Sequence, residues 1–291
     1  MKTQAIDVTT IWHALNKLER VFLGANRIWG TKNQQQVVVF ELYRRYKEVL
    51  NRLNYLKAEA STDWRELNHF LTENGFNEMF TGPLGGIGAV SILDMLVEWL
   101  EKANHCEIYG YDGQTHVGFE IPEIGRDVYK VEGLNSPLAR IKTKSGDSLW
   151  LTMPTKEPNG PLDMIGVAFT TMAANLEPAK NITTVKLPEV DFDIKPDISF
   201  LCGADTHDTS GQYWYIDQAY QQFKLRINRD GAHVKVATGI SMRKGISMGP
   251  SPLIFNKPFI GWFTQKDTNL PIAIFYADYD CWKAVEDLRS M

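Results

Sequence analysis

The sequence predicts an α+β protein, with helices concentrated in the N-terminal half and antiparallel or mixed β-sheets in the remainder. Two observations indicate this class. Apolar residues recur at helical spacing in the first third, whereas short alternating runs bounded by Gly, Pro and Asn dominate from residue 105 onward. Helices that precede strands in this way are typical of α+β folds. Apolar residues make up 44% of the 291 residues and charged residues 23%, so the chain is expected to form a globular core.

Helical periodicity is clearest in the N-terminal third. Three segments predict amphipathic helices: residues 9–20, with Thr9 or Thr10 as the N-cap, residues 34–53, and residues 64–73, with residues 61–63 supplying the cap. Residues 21–29 and 53–58 are expected to be strands. The apolar segment 89–100 favours a helix.

Strand signals follow, interrupted by one further helix. Alternating or apolar runs predict strands at residues 107–111, 116–121, 139–143, 149–153, 183–188 and 272–276. Asn159, Gly160 and Pro161 break the chain, and residues 162–175 have helical character.

Composition excludes several classes of partner and location. A net charge of -4 and a pI near 5.9 give no general reason to expect nucleic acid or an anionic membrane as partner. The sequence contains no uninterrupted run of eighteen apolar residues, so no membrane span is predicted. The first twenty residues lack a signal-peptide pattern, and three widely spaced cysteines suit a reducing compartment, so a cytoplasmic location is expected. The sequon at Asn181 would matter only after export.

Four phrases in the C-terminal part occur in a fixed order. They are LWLTMP at 149–154, VKLPEVDFDI at 185–194, the segment 218–231 ending in LRINRDG, and FNKPF at 255–259 with PIAIF at 271–275. Together they resemble the serpin family, the last phrase most closely. The resemblance implies a serpin-like fold with an exposed reactive-type loop, and a protease inhibitor or decoy rather than an enzyme. A weaker likeness around residues 25–30 implies a single, N-terminally shortened domain over residues 1–291.

The resemblance places a reactive loop at about residues 231–252. Its hinge would contain Gly231, Ala232, Val234, Val236 and Thr238. From Ala232 onward, every second residue of this stretch falls on one face, as a strand that inserts into a sheet requires.

The candidate scissile region lies near the middle of the loop, at Met242, Arg243, Lys244 and Gly245. The basic pair Arg243 and Lys244 would suit a protease with an acidic specificity pocket. The alternative is a solvated basic turn beside Gly245.

Other residues depart from the pattern of inhibitory serpins. Inhibitory members resemble each other in having Glu at the position of Arg229 and small residues at the positions of the β-branched Val234 and Val236. Gln221 aligns with the family's buried histidine. Stiff side chains should slow insertion. These residues favour the alternative of a non-inhibitory binding or structural protein, such as a homo-oligomer or part of a viral assembly in the virion or host cell. The partner in either case is a protein, a protease or an assembly partner.

Two other clusters contain residue types found in catalytic or metal sites. Cys106 with His105 and His116 could suggest a thiol nucleophile, but neighbours on a strand face opposite ways, which favours a buried structural thiol. Asp205, His207 and Asp208 are interpreted as a polar loop rather than a metal site.

Two further segments are given structural roles. The glycines at 82–88 lack the pattern of a phosphate loop and are expected to form a turn. Aromatic residues 213–215 are expected in the core. No catalytic residue, metal or cofactor is therefore expected.

Overall fold

The structure is a computed structural model that describes residues 2–122, 127–180, 182–230, 252–285 and 287–288. Its helices are α1 (Val8–Leu18), α2 (Gln34–Leu50), α3 (Trp64–Glu73) and α4 (Pro161–Ala173), with a π-helical turn at Glu19–Leu23. The strands are β1 (Gln4–Ile6), β2 (Leu56–Ser61), β3 (Gly88–Leu93), β4 (Asn104–Tyr109), β5 (Thr115–Ile121), β6 (Val128–Lys130), β7 (Leu138–Lys142), β8 (Ser148–Thr152), β9 (Glu177–Pro178), β10 (Val185–Pro188), β11 (Val190–Ile194), β12 (Asp205–His207), β13 (Tyr213–Tyr215), β14 (Phe223–Ile227), β15 (Leu253–Ile254), β16 (Phe259–Thr264) and β17 (Pro271–Ala277).

The described residues form two compact units. Unit 1 contains those of Met1–Ala5, Leu96–Phe192 and Lys224–Met291, and unit 2 those of Ile6–Met95 and Asp193–Phe223. The interpretation of residues 1–291 as one N-terminally shortened domain stays a prediction.

A seven-stranded sheet forms the centre of unit 1. Its strand order is β1-β17-β16-β8-β7-β6-β9, and every residue of β8, β16 and β17 is buried. Their sequences, SLWLT, FIGWFT and PIAIFYA, are almost continuously apolar, as expected for strands covered on both faces. Helix α4 packs against β16 and β17. The rings of Phe192 and Phe259 each lie 6.3 Å from that of Phe275.

The β16–β17 pair contains a bulge. Gly261 pairs with Phe275 and Phe263 with Ile272, so β17 has one more residue than β16 between these positions. Ala273 lies inside the bulge at φ 48°, in the left-handed region. Bulges of this kind increase twist and fix the register of the two strands.

A second sheet of unit 1 has the order β15-β10-β5-β4. Strands β4, β5 and β10 are antiparallel neighbours, whereas the short β15 pairs parallel to β10. Mixed sheets were predicted, and this sheet is one.

Unit 2 is built from helices that pack on a two-stranded sheet. Strands β2 and β3 pair antiparallel, and both α1 and α3 pack against them. Leu67 and Leu71 of α3 form a core cluster with Val90 and Ile92 of β3. Residues four apart on a helix lie on one face, and so do residues two apart on a strand, so α3 and β3 each bury one face in this cluster.

Side-chain caps define where the helices of unit 2 begin. The carboxylate of Asp63 accepts the Arg65 N–H at the start of α3, within the predicted capping segment. For α1 the cap is Asp7, which accepts the N–H groups of Thr9 and Thr10, so the expectation that Thr9 or Thr10 caps this helix was wrong.

Glu19 of unit 2 has a fully buried carboxylate, with 0% of the residue exposed. It accepts hydrogen bonds from the Asn26 N–H (3.1 Å), the Arg27 N–H (3.3 Å), Trp29 Nε1 (3.0 Å) and the Tyr43 hydroxyl (3.1 Å), and it pairs with the Lys47 ammonium. Burial raises the pKa of Tyr43 far above its ordinary value, with the Glu19 charge adding to this, so the phenol remains a donor. The carboxylate ties the turn after α1 to α2.

Two local predictions were wrong. Residues 21–29 were expected to be a strand, but Glu19–Leu23 forms a π-helical turn, and the chain after it folds back so that its N–H groups reach Glu19. The segment 89–100 was expected to be helical, but Gly88–Leu93 is strand β3. The helices at residues 34–50, 64–73 and 161–173 are confirmed, as are the strands predicted between residues 107 and 153 and at 183–188 and 272–276, with small shifts of their bounds. Of the helices in the described ranges, none is long and apolar enough to span a membrane.

We predict that Gly261→Ala destabilises the fold by about 1–3 kcal/mol, the usual cost of overpacking a core. A Cβ at this position would lie 2.4 Å from Phe275 Cζ and 2.9 Å from Leu151 Cδ2. Urea denaturation of both proteins measures the difference. Gly166→Ala in α4 is the matched control, because its added Cβ would meet no atom within 4 Å beyond its chain neighbours and the backbone of its own helix, and alanine favours the helix. Equal midpoints for the two variants would contradict the packing argument.

We predict that Glu19→Gln lowers the free energy of unfolding by about 3–5 kcal/mol, because the Lys47 ammonium, whose side chain is only 16% exposed, then loses the carboxylate with which it pairs. The double variant with Lys47→Met should recover part of this loss, and a double-mutant cycle in urea measures the coupling. Strictly additive losses would show that the pair is not coupled.

Candidate functional site

The predicted loop residues cannot be placed. Gly231, Ala232, Val234, Val236, Thr238, Met242, Arg243, Lys244 and Gly245 all lie outside the described residues. The candidate site is therefore built from the two chain segments that flank the loop. We name residues 224–230 the entry anchor and residues 253–257 the exit anchor, and both belong to unit 1.

Strand β14 forms the first part of the entry anchor. Its sequence FKLRI alternates, so that Phe223, Leu225 and Ile227 are buried while the residues between them are partly exposed. This pattern fits a strand with one face in the core. β14 pairs with β11, and Arg226 Nε lies 3.1 Å from Asp191 Oδ1. β14 lies within residues 218–231, one of the four phrases that carry the resemblance, and in the structure it belongs to a two-stranded sheet with β11.

Asn228 fixes the chain directly after β14. It is 5% exposed, and its carbonyl oxygen accepts a hydrogen bond of 2.9 Å from Trp99 Nε1. Its side-chain amide donates to the Val285 carbonyl oxygen at 3.4 Å, and its Oδ1 accepts the Asp230 N–H at 3.0 Å. Because both its backbone and its side chain are engaged in a buried site, the position from which the predicted loop departs is held firmly.

Glu189 lies beside the entry anchor, 6% exposed, and accepts the Val285 N–H at 2.8 Å. Burial raises the pKa of this carboxyl group, although the Val285 N–H and the charges of Arg229 and His105 act in the opposite direction. Sequence analysis missed Glu189. The available signal was an acidic residue inside the apolar phrase VKLPEVDF, directly after the strand predicted at residues 183–188.

The exit anchor is held by backbone pairing. Leu253 N–H donates to Thr184 O (2.9 Å) and Phe255 N–H to Lys186 O (2.8 Å), which together form the parallel β10–β15 pair. Phe255 is fully buried, with its ring centroid 5.4 Å from that of Phe259. Its neighbour Asn256 accepts the Tyr111 N–H at 3.0 Å.

Arg229 and Gln221 marked departures from inhibitory serpins. Arg229 is in the entry anchor, and its side chain is 54% exposed with Nε 4.0 Å from Asp230 Oδ1. Gln221, in unit 2, donates to Asp7 O and Thr10 Oγ1 and accepts the Asp7 N–H, so it holds the start of α1.

The thiol-nucleophile arrangement is not assembled. Cys106 lies opposite Gly118, whereas His116 lies opposite Ile108 and is paired with Asp112 at 2.9 Å. Burial raises the pKa of the Cys106 thiol, which favours the unreactive protonated form. The thiol is only partly buried, so the expectation of a fully buried one was wrong.

The remaining candidates of unit 2 are placed as follows. Asp205–His207 form strand β12 rather than a loop, and Asp205 pairs with Lys32. Among the described residues no group of His, Cys, Asp or Glu side chains could hold a metal ion. Tyr213 and Tyr215 are exposed, so the expectation that this aromatic strand is core was wrong. Gly82, Gly85 and Gly86 lie in a turn region before β3, as expected.

We predict that Glu189→Gln raises stability at pH 7. A carboxyl group whose folded pKa is raised above 4.5 stabilises the folded state at low pH, and this contribution is lost as pH rises through the raised pKa. Gln keeps an oxygen that accepts the Val285 N–H but carries no charge. Urea midpoints between pH 4 and pH 7 should therefore fall for the wild type relative to Glu189→Gln. A difference that is constant over this range would contradict the assignment.

Comparisons with known proteins give the fold. No protein-family model matches the sequence, and no curated protein matches it. Among solved structures, the chain is similar to Serpin48, described as a highly specific serpin of the insect Tenebrio molitor, with 10% identity and a TM-score of 0.53 over 93% of this chain and 96% of that chain. It is also similar to thyroxine-binding globulin in its complex with thyroxine, with 10% identity and a TM-score of 0.53 over 93% of this chain and 98% of that chain. The match is not limited to the C-terminal part of either neighbour. From this likeness, the chain has a serpin-like α+β fold, as the sequence predicted.

Proposed function

We propose that the protein acts as a protease inhibitor or decoy through residues 231–252. The observation that carries this proposal is that both ends of this segment are built into unit 1, at Asn228 by buried hydrogen bonds and at Leu253 by strand pairing. Two fixed ends suit a segment that is offered to a partner. The serpin-like fold supports the same function.

In the proposed mechanism the target protease supplies the nucleophile. Its serine attacks the carbonyl carbon of Arg243 or Lys244, and the peptide bond to the next residue breaks to leave an ester with the protease and a new amino terminus. Inhibition then requires residues 231–238 to add to a sheet faster than water hydrolyses the ester. The chain's own Glu, Asp and His residues have no catalytic role in this proposal.

The second candidate is a non-inhibitory binding or structural function. Exposed Arg229 and the β-branched Val234 and Val236 favour it, because stiff side chains slow strand addition. One of the two structural neighbours is named for binding thyroxine, so this fold also serves binding. A homo-oligomer or an assembly partner belongs to this candidate, and a cytoplasmic location remains a prediction for both.

We predict that trypsin forms an SDS-stable covalent complex with the protein, seen on a gel as a band at the summed mass. Arg243→Ala/Lys244→Ala should abolish the complex, whereas Arg229→Ala, a matched loss of a basic residue outside the loop, should not. Val234→Ala/Val236→Ala should increase the fraction of protease trapped, because smaller side chains insert faster.

The other outcomes separate the two candidates. Cleavage at Arg243 or Lys244 with a rise in melting temperature but no complex would indicate a decoy that inserts without trapping. Cleavage with neither a complex nor added thermal stability would remove the inhibitor function and leave the binding function.

A further inference from the structure

The C-terminal segment after β17 is closely packed on unit 1. Cys281, Trp282, Val285 and Leu288 are buried. The Trp282 ring centroid lies 4.9 Å from that of His116 and 6.1 Å from that of Phe259. Trp282 also forms an isolated antiparallel bridge with Val190, at the start of β11. We name residues 282–285, 287 and 288 the strap.

The strap is bonded to the residues that lead into the predicted loop. Val285 uses both its backbone groups: its N–H donates to Glu189 at 2.8 Å, and its carbonyl accepts from Asn228 Nδ2 at 3.4 Å. Farther along, the Asp287 carbonyl accepts from Arg226 at 2.8 Å. The entry anchor therefore contacts the strap at two residues, one within β14 and one directly after it.

We propose that the strap is a clamp that holds the entry anchor in place and so restrains the chain where the loop begins. This inference rests on the proposed function for its role in protease encounter, since residues 231–252 are the segment it would restrain. Any rearrangement that propagates from the loop into β14 has to break the bond between Asn228 and Val285 first. The strap thus sets how readily that rearrangement starts.

Glu189 is the residue on which the clamp depends most. It lies between β10 and β11, and the charged groups that act on it are Arg229 and Asp230 of the entry region and His105 of β4. If the strap leaves, a buried carboxylate loses the Val285 N–H, and Val285 itself becomes exposed. Both effects oppose opening, so the closed clamp is the stable state.

Hydrogen–deuterium exchange of the full chain tests the coupling. Glu189→Ala removes the acceptor for Val285, and Glu189→Gln is the matched control that keeps one. We expect exchange in residues 224–230 and in the strap to become about tenfold faster together in Glu189→Ala, on the scale of one lost buried hydrogen bond. In Glu189→Gln, which keeps the acceptor and is predicted to be the more stable protein at pH 7, exchange in neither segment should become faster. Faster exchange in the strap alone, or in neither segment, would overturn the clamp.

A second pair of variants guards against a folding defect in Glu189→Ala. Arg226→Met removes the bonds to Asp287 and to Asp191 together, whereas Asp191→Asn removes only the negative charge of Asp191 and leaves the bond to Asp287 in place. Arg226→Met should accelerate exchange at Asn228 and in the strap, and Asp191→Asn should not. Equal effects of the two variants would show that the ion pair, not the strap, holds the entry anchor.

The clamp and the proposed function fail separately. Trypsin should cleave residues 231–251 several-fold faster in Arg226→Met than in Asp191→Asn, with Gly261→Ala as a control for general loss of stability. An absent covalent complex would remove the inhibitor function while the exchange result stands. A covalent complex with no difference in exchange between the paired variants would retain the function and overturn the clamp.

Discussion

The arrangement of unit 1 depends on the burial of β16 and β17 on both faces. No residue of either strand is exposed, and each large apolar side chain in such a position contributes roughly 1.5–3 kcal/mol when it is buried. Strand β8, helix α4 and the ring of Trp282 all pack on this pair. Because Phe255 and Phe259 share the same core, the exit anchor is continuous with it.

Unit 2 is organised by a polar group instead. The carboxylate of Glu19 gathers donors from the turn that follows it and from α2, which fixes an irregular stretch that lacks the regular hydrogen bonds of a helix or strand. The donors directed at this carboxylate offset the cost of burying it. Apolar burial therefore holds the central strands of unit 1 in place, whereas hydrogen bonds to one buried carboxylate hold the irregular stretch of unit 2.

Much of the fold could be predicted from the sequence, because periodic or continuously apolar segments determine their own structure. The helix at Trp64–Glu73 carried its cap, and PIAIFYA could only be a buried strand. The π-helical turn at Glu19–Leu23 was missed because β-branched and aromatic residues suggested a strand, while its cause is a set of contacts with distant residues. The contact between Glu189 and Val285 was missed for the same reason: Glu189 lies in a recognised phrase, but ninety-six positions separate it from Val285, and no local pattern indicates that the two residues meet. The hinge and scissile residues of the loop stay predictions.

In the seven-stranded sheet, the strand that comes earliest in the sequence lies beside the described strand that comes latest. Strand β1, at Gln4–Ile6, is the neighbour of β17, at Pro271–Ala277. During synthesis β1 is made long before β17, so it has to wait for most of the described residues to be added before its partner strand exists. Contacts between residues so far apart in sequence slow folding, because the chain loses the entropy of closing a long loop before the strand pair forms and stabilises it. Once β17 has been made, the edge that β1 covers is open to pairing with other chains until β1 pairs with it, so this pairing also protects the newly made protein from aggregation.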